Sequence, residues 1–178
     1  MNKPTKTHVL YTSKQIETTI EKLAAEITRD YADKNPLLVG ILKGSFMFMA
    51  DLVRHLDFPL EIEFVRVSSY GKKRQSSGKI AVVQGIRTDI RNRHVLLVED
   101  IIDSGLSVTH VLESLRNKKP ASLKVCCLLD KPARRQVTVH IDYTGLTVPD
   151  KFLVGYGLDW AEQYRNLPDI CYLEDAKP

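Results

Sequence analysis

The sequence predicts an α/β protein: a central, mostly parallel sheet flanked by helices. Three observations lead there. Short, continuous apolar runs at 37–42 (LLVGIL) and 94–98 (HVLLV) suit strands covered on both faces, as parallel strands are. Segments between such runs carry the 3.6-residue apolar period of helices. The order along the chain is helix, strand, helix, strand pair, strand, helix, strand, the alternation of crossover-connected units. At 178 residues the chain has the length of one domain, and 1–178 is read as a single unit.

Residues 11–31 read as an amphipathic helix. Thr12 and Gln15 fit a capping box, and Tyr11 with Ile16 fits a hydrophobic staple. Ile16, Ile20, Leu23, Ala24, Ile27 and Tyr31 fall on one face. Asn35-Pro36 breaks the chain before the strand at 37–42. The next helix, SFMFMADLVRHL at 45–56, starts apolar on every side. It therefore needs burial on more than one side, either deep in the chain or at a subunit contact. Residues 60–69 alternate with one slip, as a strand does, and 80–84 form another. Together they make a hairpin with an over-long, mobile connection. After the strand at 94–98 come a helix over 107–116 and a strand over 121–129, ended by Lys131-Pro132. Weaker strand patterns lie at 137–142 and 152–155.

Composition excludes several classes. Apolar residues are 43% and charged residues 27%, as in soluble globular proteins. No apolar run reaches the ~18 residues of a membrane span, and the first residues lack an apolar stretch of signal-peptide length. Cys126, Cys127 and Cys171 show no metal-ligand spacing, and strand neighbours point to opposite faces. They are read as reduced and buried in a cytoplasmic protein. Lys plus Arg number 26 against 22 acids. Residues 72–79 (KKRQSSGK) hold Lys72, Lys73, Arg74 and Lys79 and no acid, so this one stretch equals the whole +4 excess. It is either a solvated loop or a loop that meets an anionic ligand. The five histidines are scattered and receive no chemistry. Trp160 reads as a core or interface residue.

The chemistry concentrates at 95–109, VLLVEDIIDSGLSVT. A buried strand delivers Glu99 and Asp100 at its carboxyl end, where ligands sit in open α/β sheets. Two carboxylates there are costly unless they meet a cation or hydrogen-bond donors, and a sugar diol with hydrated Mg²⁺ satisfies both needs. The turn Asp103-Ser104-Gly105-Leu106-Ser107 then opens a helix whose free N–H groups form an anion site. Gly105 permits close approach of a phosphate, and Ser104 and Ser107 add hydroxyls. An ordinary N-cap explains Asp103 or Ser104, but not the two acids upstream. Gly71 and Gly78-Lys79 do not have Walker A spacing, and no GxGxxG occurs.

VLLVEDIIDSGLS resembles the 5-phosphoribosyl-1-pyrophosphate (PRPP) motif of the type I phosphoribosyltransferases. Three further segments resemble the hypoxanthine members of that family: Leu42-Lys43-Gly44-Ser45, Ser68-Ser69-Tyr70-Gly71, and VPDKFLVGYGLDWAEQYRNLP at 148–168. The resemblance covers about residues 10–174, and KFLVGYGLD is its more selective part. It implies the type I phosphoribosyltransferase fold, with a small hood formed by the chain termini, a purine-binding and hood segment at about 148–174, and a catalytic loop at about 68–79 that includes Ser69 and Tyr70. It implies that Glu99 and Asp100 hold the ribose hydroxyls with Mg²⁺ nearby, and that Asp103 is general base or acid at purine N7. The backbone of Asp103, Ser104, Gly105, Leu106 and Ser107 would grip the 5′-phosphate. Lys43, Gly44 and Arg165 would contact pyrophosphate, with a cis peptide before Lys43. Lys131 would donate to the purine 6-oxo group, Phe152 would stack on the base, and the Leu153 backbone would read its edge. Asp159 would hold a second Mg²⁺. Leu106 departs from the family, whose members often carry a basic or polar residue there. The implied reaction joins PRPP to hypoxanthine, and to guanine as well, in a cytoplasmic homodimer or homotetramer that binds neither nucleic acid nor membrane. The rivals are a preference for xanthine or guanine, and an RNA-binding regulator that uses Lys72 to Arg74.

Overall fold

The computed structural model describes residues 6–69 and 80–174. The basic stretch at 72–79 and most of the expected catalytic loop, Tyr70 included, lie outside the described residues.

Strand β1 (Thr7–Tyr11) leads into helix α1 (Ser13–Tyr31). The capping box forms as expected: Thr12 accepts from the Gln15 N–H, and the Gln15 side chain accepts from the Thr12 N–H at 2.9 Å. The predicted apolar face of α1 is the buried one, with Thr19 added. Next come β2 (Leu37–Leu42), α2 (Phe46–Arg54), β3 (Glu61–Ser69), β4 (Ile80–Gln84), β5 (His94–Ile102), α3 (Leu106–Arg116) and β6 (Ser122–Asp130). A single 3₁₀ turn (Pro132–Arg134) precedes β7 (Tyr143–Thr147), β8 (Leu153–Val154) and β9 (Ile170–Leu173).

The main sheet has the order β4-β3-β2-β5-β6-β7. β3 through β7 pair in parallel across β2, β5 and β6, and β4 pairs antiparallel with β3 as the predicted hairpin. Two apolar layers sandwich the sheet. Leu38, Leu96, Val98, Cys126 and Leu128 face α1 and α2. Leu37, Val39, Val95, Leu97, Val125 and Cys127 face α3. The alternation is the two-residue period of each strand, and it puts Cys126 and Cys127 on opposite faces as expected. All three cysteines are free and buried. The small antiparallel sheet β1-β9-β8 joins the two ends of the described chain and forms the hood.

Two expectations need correction. Residues 137–142 alternate like a strand but form none. Asp142 instead accepts from the Val125 N–H at 2.9 Å and donates its own N–H to Val125 O at 2.9 Å, filling the edge of β6 just before β7 begins. Helix α2 is not buried all round: Phe48, Met49 and Leu52 are enclosed, while Phe46 is 39% exposed. Gly105 also serves packing. It has φ +84°, and a Cβ there would lie 2.9 Å from Val137 O.

Candidate active site

The carboxyl ends of β2, β5 and β6 converge on one edge, and the predicted residues cluster there. β5 remains extended through Ile102, so Glu99 and Asp100 project to opposite faces. Both are buried, at 8% and 7% exposure. Burial pushes the Asp100 carboxyl up to about 6, against hydrogen bonds from its own backbone and that of Ile101 and the charge of Arg165. Burial, with Asp100 beside it, raises the Glu99 carboxyl well above the ordinary range. Glu99 Oε2 is buried with no hydrogen-bond partner among the described residues. An isolated carboxylate so placed is costly unless a ligand completes it.

On the Glu99 side lies a cavity of about 90 Å³, lined by Glu99, Ile101, Ile102, Asp103, Ser104, Gly105, Ser107 and Val108. This is the mouth of α3. Gly105 occupies the N-cap position with no side-chain cap, and of the N–H groups at 105–108 only that of Leu106 reaches an oxygen among the described residues, Ser104 Oγ at 3.4 Å. The remaining first-turn N–H groups and the helix dipole leave an anion site, in which Leu106 contributes backbone alone.

A second cavity, about 170 Å³, shares Ile101 and Asp103 with the first and adds Lys131, Arg134, Phe152, Leu153 and Leu158. Lys131 is buried at 3% exposure. Its Nζ donates to Lys151 O at 2.8 Å and lies 3.7 Å from Asp103 and 3.5 Å from Asp150. Arg134 lies 3.6 Å from Asp103. The Asp103 carboxylate therefore stands where the anion cavity meets an aromatic-walled cavity, with two cations facing it. Arg134 and Asp150 were not singled out by sequence. The run KPARR after β6 carried the signal for Arg134, since a strand end on this edge places its followers in the site.

On the Asp100 side, the Leu42–Lys43 peptide is cis, as expected. Gly44 follows, packed so tightly that a Cβ would lie 2.0 Å from Asp100 Oδ2. A Cβ on Gly157 would in turn lie 2.2 Å from Gly44 O. The loop after β8 is thereby seated on the Lys43-Gly44 turn. Within that loop Arg165 donates to Gly157 O at 2.7 Å and pairs with Asp159 at 2.7 Å and Glu162 at 3.3 Å. Lys43 pairs with Glu162 at 2.8 Å. Asp159 also accepts from the Glu162 N–H at 2.9 Å, so both of its oxygens are engaged.

Among the described residues no group of three or more His, Cys, Asp or Glu side chains is arranged to hold a metal by itself. The donor set nonetheless fits Mg²⁺, which takes one or two carboxylates and completes its shell with water and substrate oxygens. Glu99 is a buried acid with an unpartnered oxygen at the cavity edge, and Asp100 is a buried acid beside the Lys43-Gly44 turn. A larger cavity, about 450 Å³, lies between α1 and α2, and Lys43, Glu99, Asp100, Asp103, Lys131 and Arg165 are not among its lining residues.

Residues 7–161 match the phosphoribosyl transferase domain family. A hypoxanthine-guanine phosphoribosyltransferase of Streptococcus pneumoniae is 49% identical over 167 residues, 94% of this chain and 93% of that protein. One of Aquifex aeolicus is 47% identical over 171 residues, 96% of both. The crystal structure of a hypoxanthine-guanine phosphoribosyltransferase from Bacillus anthracis superposes with a TM-score of 0.89 at 41% identity, covering 95% of this chain and 99% of that one. With the same fold, and with motifs that fall together at one sheet edge, the chain belongs to the phosphoribosyltransferase family, among its hypoxanthine-guanine members.

Proposed function

We propose that the chain transfers the phosphoribosyl group of PRPP to N9 of hypoxanthine, and of guanine, releasing pyrophosphate and forming the nucleoside monophosphate. The observation that carries the detailed reading is the position of Asp103 at the junction of the two cavities. The α3 mouth takes the 5′-phosphate through N–H groups and the Ser104 and Ser107 hydroxyls. Glu99 and Asp100 would hold the ribose diol between them, Glu99 from the α3 side of β5 and Asp100 from the Gly44 side. Phe152 and Leu158 wall the base, with Lys131 at its 6-oxo group and the Leu153 backbone at its edge. Lys43, Gly44 and Arg165 take the pyrophosphate.

In the reaction the C1–O bond to pyrophosphate breaks with its electron pair leaving on oxygen, and the N9–C1 bond forms. Asp103 accepts the N7 proton of the base, which makes N9 the better nucleophile. Lys43 and Arg165 stabilise the negative charge that grows on the leaving group. Mg²⁺, held by Glu99 and Asp100 with Asp159 as the site of a second ion, would add charge neutralisation at the diol and pyrophosphate. Closure of the segment at 68–79 to exclude water belongs to the same proposal. So do a cytoplasmic location, supported by three free buried cysteines, and a homodimer or homotetramer, supported by the exposed ring of Phe46 on α2.

The test is a purine panel with PRPP and Mg²⁺. Lys131 offers only donors, so it matches the acceptor at position 6 of hypoxanthine and guanine and opposes the amino group of adenine. Sites built this way reject a mismatched base by ~10⁴ or more. Hypoxanthine and guanine should turn over and adenine should not. Lys131→Met should lower kcat/KM for hypoxanthine by ~10² or more while leaving the poor value for adenine nearly unchanged. Efficient use of adenine by the wild type would overturn the base assignment.

A further inference from the structure

One carboxylate oxygen holds both cations assigned to pyrophosphate. Glu162 Oε2 lies 2.8 Å from Lys43 Nζ and 3.3 Å from Arg165 Nη2. The two cations come from different parts of the chain, the turn after β2 and the loop after β8, and Glu162 bridges them. Its placement is built into the backbone. The Glu162 N–H donates to Asp159 Oδ2 at 2.9 Å, and Trp160 and Gln163 exchange two backbone hydrogen bonds around it, at 3.2 and 3.0 Å. Ala161 and Glu162 take left-handed φ values of 53° and 65° to make the turn. Arg165 has further anchors, Asp159 at 2.7 Å and Gly157 O at 2.7 Å. Lys43 is paired, among the described residues, with Glu162 alone.

A pyrophosphate oxygen and the Glu162 carboxylate require the same N–H donors. We propose that Glu162 is an internal competitor for the pyrophosphate group. It aligns Lys43 and Arg165 for the incoming anion, lowers the affinity for pyrophosphate, and returns to the cations as the product leaves. This rests on reading the chain as a phosphoribosyltransferase. The strengths are suited to exchange. The Glu162 and Lys43 side chains are 65% and 47% exposed, so their contact is a screened surface pair. A diphosphate, with several charges and bridging oxygens, outcompetes one carboxylate. Arg165 stays on Asp159, so the moving part is the Glu162–Lys43 pair. Glu162 is a positioning residue here and touches no reacting atom.

Glu162→Gln keeps the length and the backbone donor but removes the charge. Pyrophosphate titrated calorimetrically into this variant with Mg²⁺ should bind ~3- to 10-fold tighter than to the wild type. The KM for PRPP should fall, and steady-state kcat should fall with it as pyrophosphate leaves more slowly. The gain should shrink as salt rises. Glu162→Asp, whose shorter arm cannot span both cations, should shift the same way by less, and it decides the question if the Gln variant does not fold. Pyrophosphate binding that is unchanged or weaker in the folded variants, beside a wild type that turns over hypoxanthine, overturns the role of Glu162 alone. A wild type that neither makes nucleotide nor binds pyrophosphate overturns the reading beneath it.

Discussion

Asp103 is set apart from the other acids of the site by its surroundings. Glu99 and Asp100 are buried, and Glu99 Oε2 lacks a partner among the described residues, whereas the Asp103 side chain is 43% exposed and faces Lys131 and Arg134 at 3.7 and 3.6 Å. It can reach the base cavity and exchange a proton with solvent, as a turnover base must. Asp103→Asn preserves shape and removes the proton acceptor. It should lower kcat by ~10²–10⁴ with the far-ultraviolet circular dichroism unchanged, since general-base catalysis contributes that much. A variant within a few-fold of wild type would remove Asp103 from the mechanism. The sequence shows the two buried acids and the turn at Asp103 because a buried apolar run ends there in acids, whereas Lys131 is legible only through the family resemblance. It does not show Glu162. An acid in the run WAEQYR looks like any solvated charge until the loop folds back onto Lys43.

At the scale of elements, the site depends on two glycines in contact. The turn from β2 to α2 passes between the Asp100 carboxylate and Gly157, with no room for a Cβ on either side. Gly157 also has φ +97°, where a side chain is strained regardless of space. Gly157→Ala should combine that strain with overpacking, at about 2–4 kcal/mol, and lower Tm by on the order of 10 °C. It should raise the KM for PRPP more than that for hypoxanthine, because the Lys43-Gly44 turn is what shifts. An unchanged Tm would mean the loop relaxes freely. The long elements are legible because their patterns are local: the apolar stripe of α1 and the unbroken runs of β2 and β5 need no partner to be read. The hood strands are not. β1 and β9 are five and four residues that meet across most of the chain. The alternating 137–142 misleads for the opposite reason. Its Val139 and Ile141 are apolar because they pack on the α3-side core, and the edge of β6 beside them is taken by Asp142.

At the scale of the whole molecule, the parallel sheet separates chemistry from stability. The site lies at the carboxyl ends of the strands. Near the amino ends of β6 and β7, roughly 20 Å away at ~3.3 Å per residue, Asp30 ties α1 to the sheet. Its Oδ2 accepts from Lys124 Nζ at 2.8 Å and from the Tyr143 hydroxyl at 2.5 Å. The Lys124 ammonium lies 5.2 Å from the Tyr143 ring centre and 5.8 Å from that of Tyr31. The hydrogen bond from Lys124, then that from Tyr143, hold the Asp30 carboxyl below its ordinary 3.8, against burial. The hydrogen bond to Asp30 raises Lys124 above 10.5. A depressed acid contributes stability that is fully present above its unfolded pKa and is lost as pH falls through the folded one. A raised lysine contributes stability present below its unfolded pKa and lost as pH rises through the folded one. The network is therefore intact between about pH 4 and pH 10, and its acid edge is set by Asp30. Asp30→Asn should lower Tm by a constant amount from about pH 5 to pH 9, and the gap to wild type should begin to close as pH falls below about 4, the unfolded range, and go on closing through the lower folded value. Its kcat/KM for hypoxanthine at pH 7 and 25 °C should equal that of the wild type, because no group of the network reaches the cavities around Asp103. Thermal unfolding of both proteins across that pH series decides it. A gap at pH 3 as large as at pH 7 would show that Asp30 acts through its shape and not its charge.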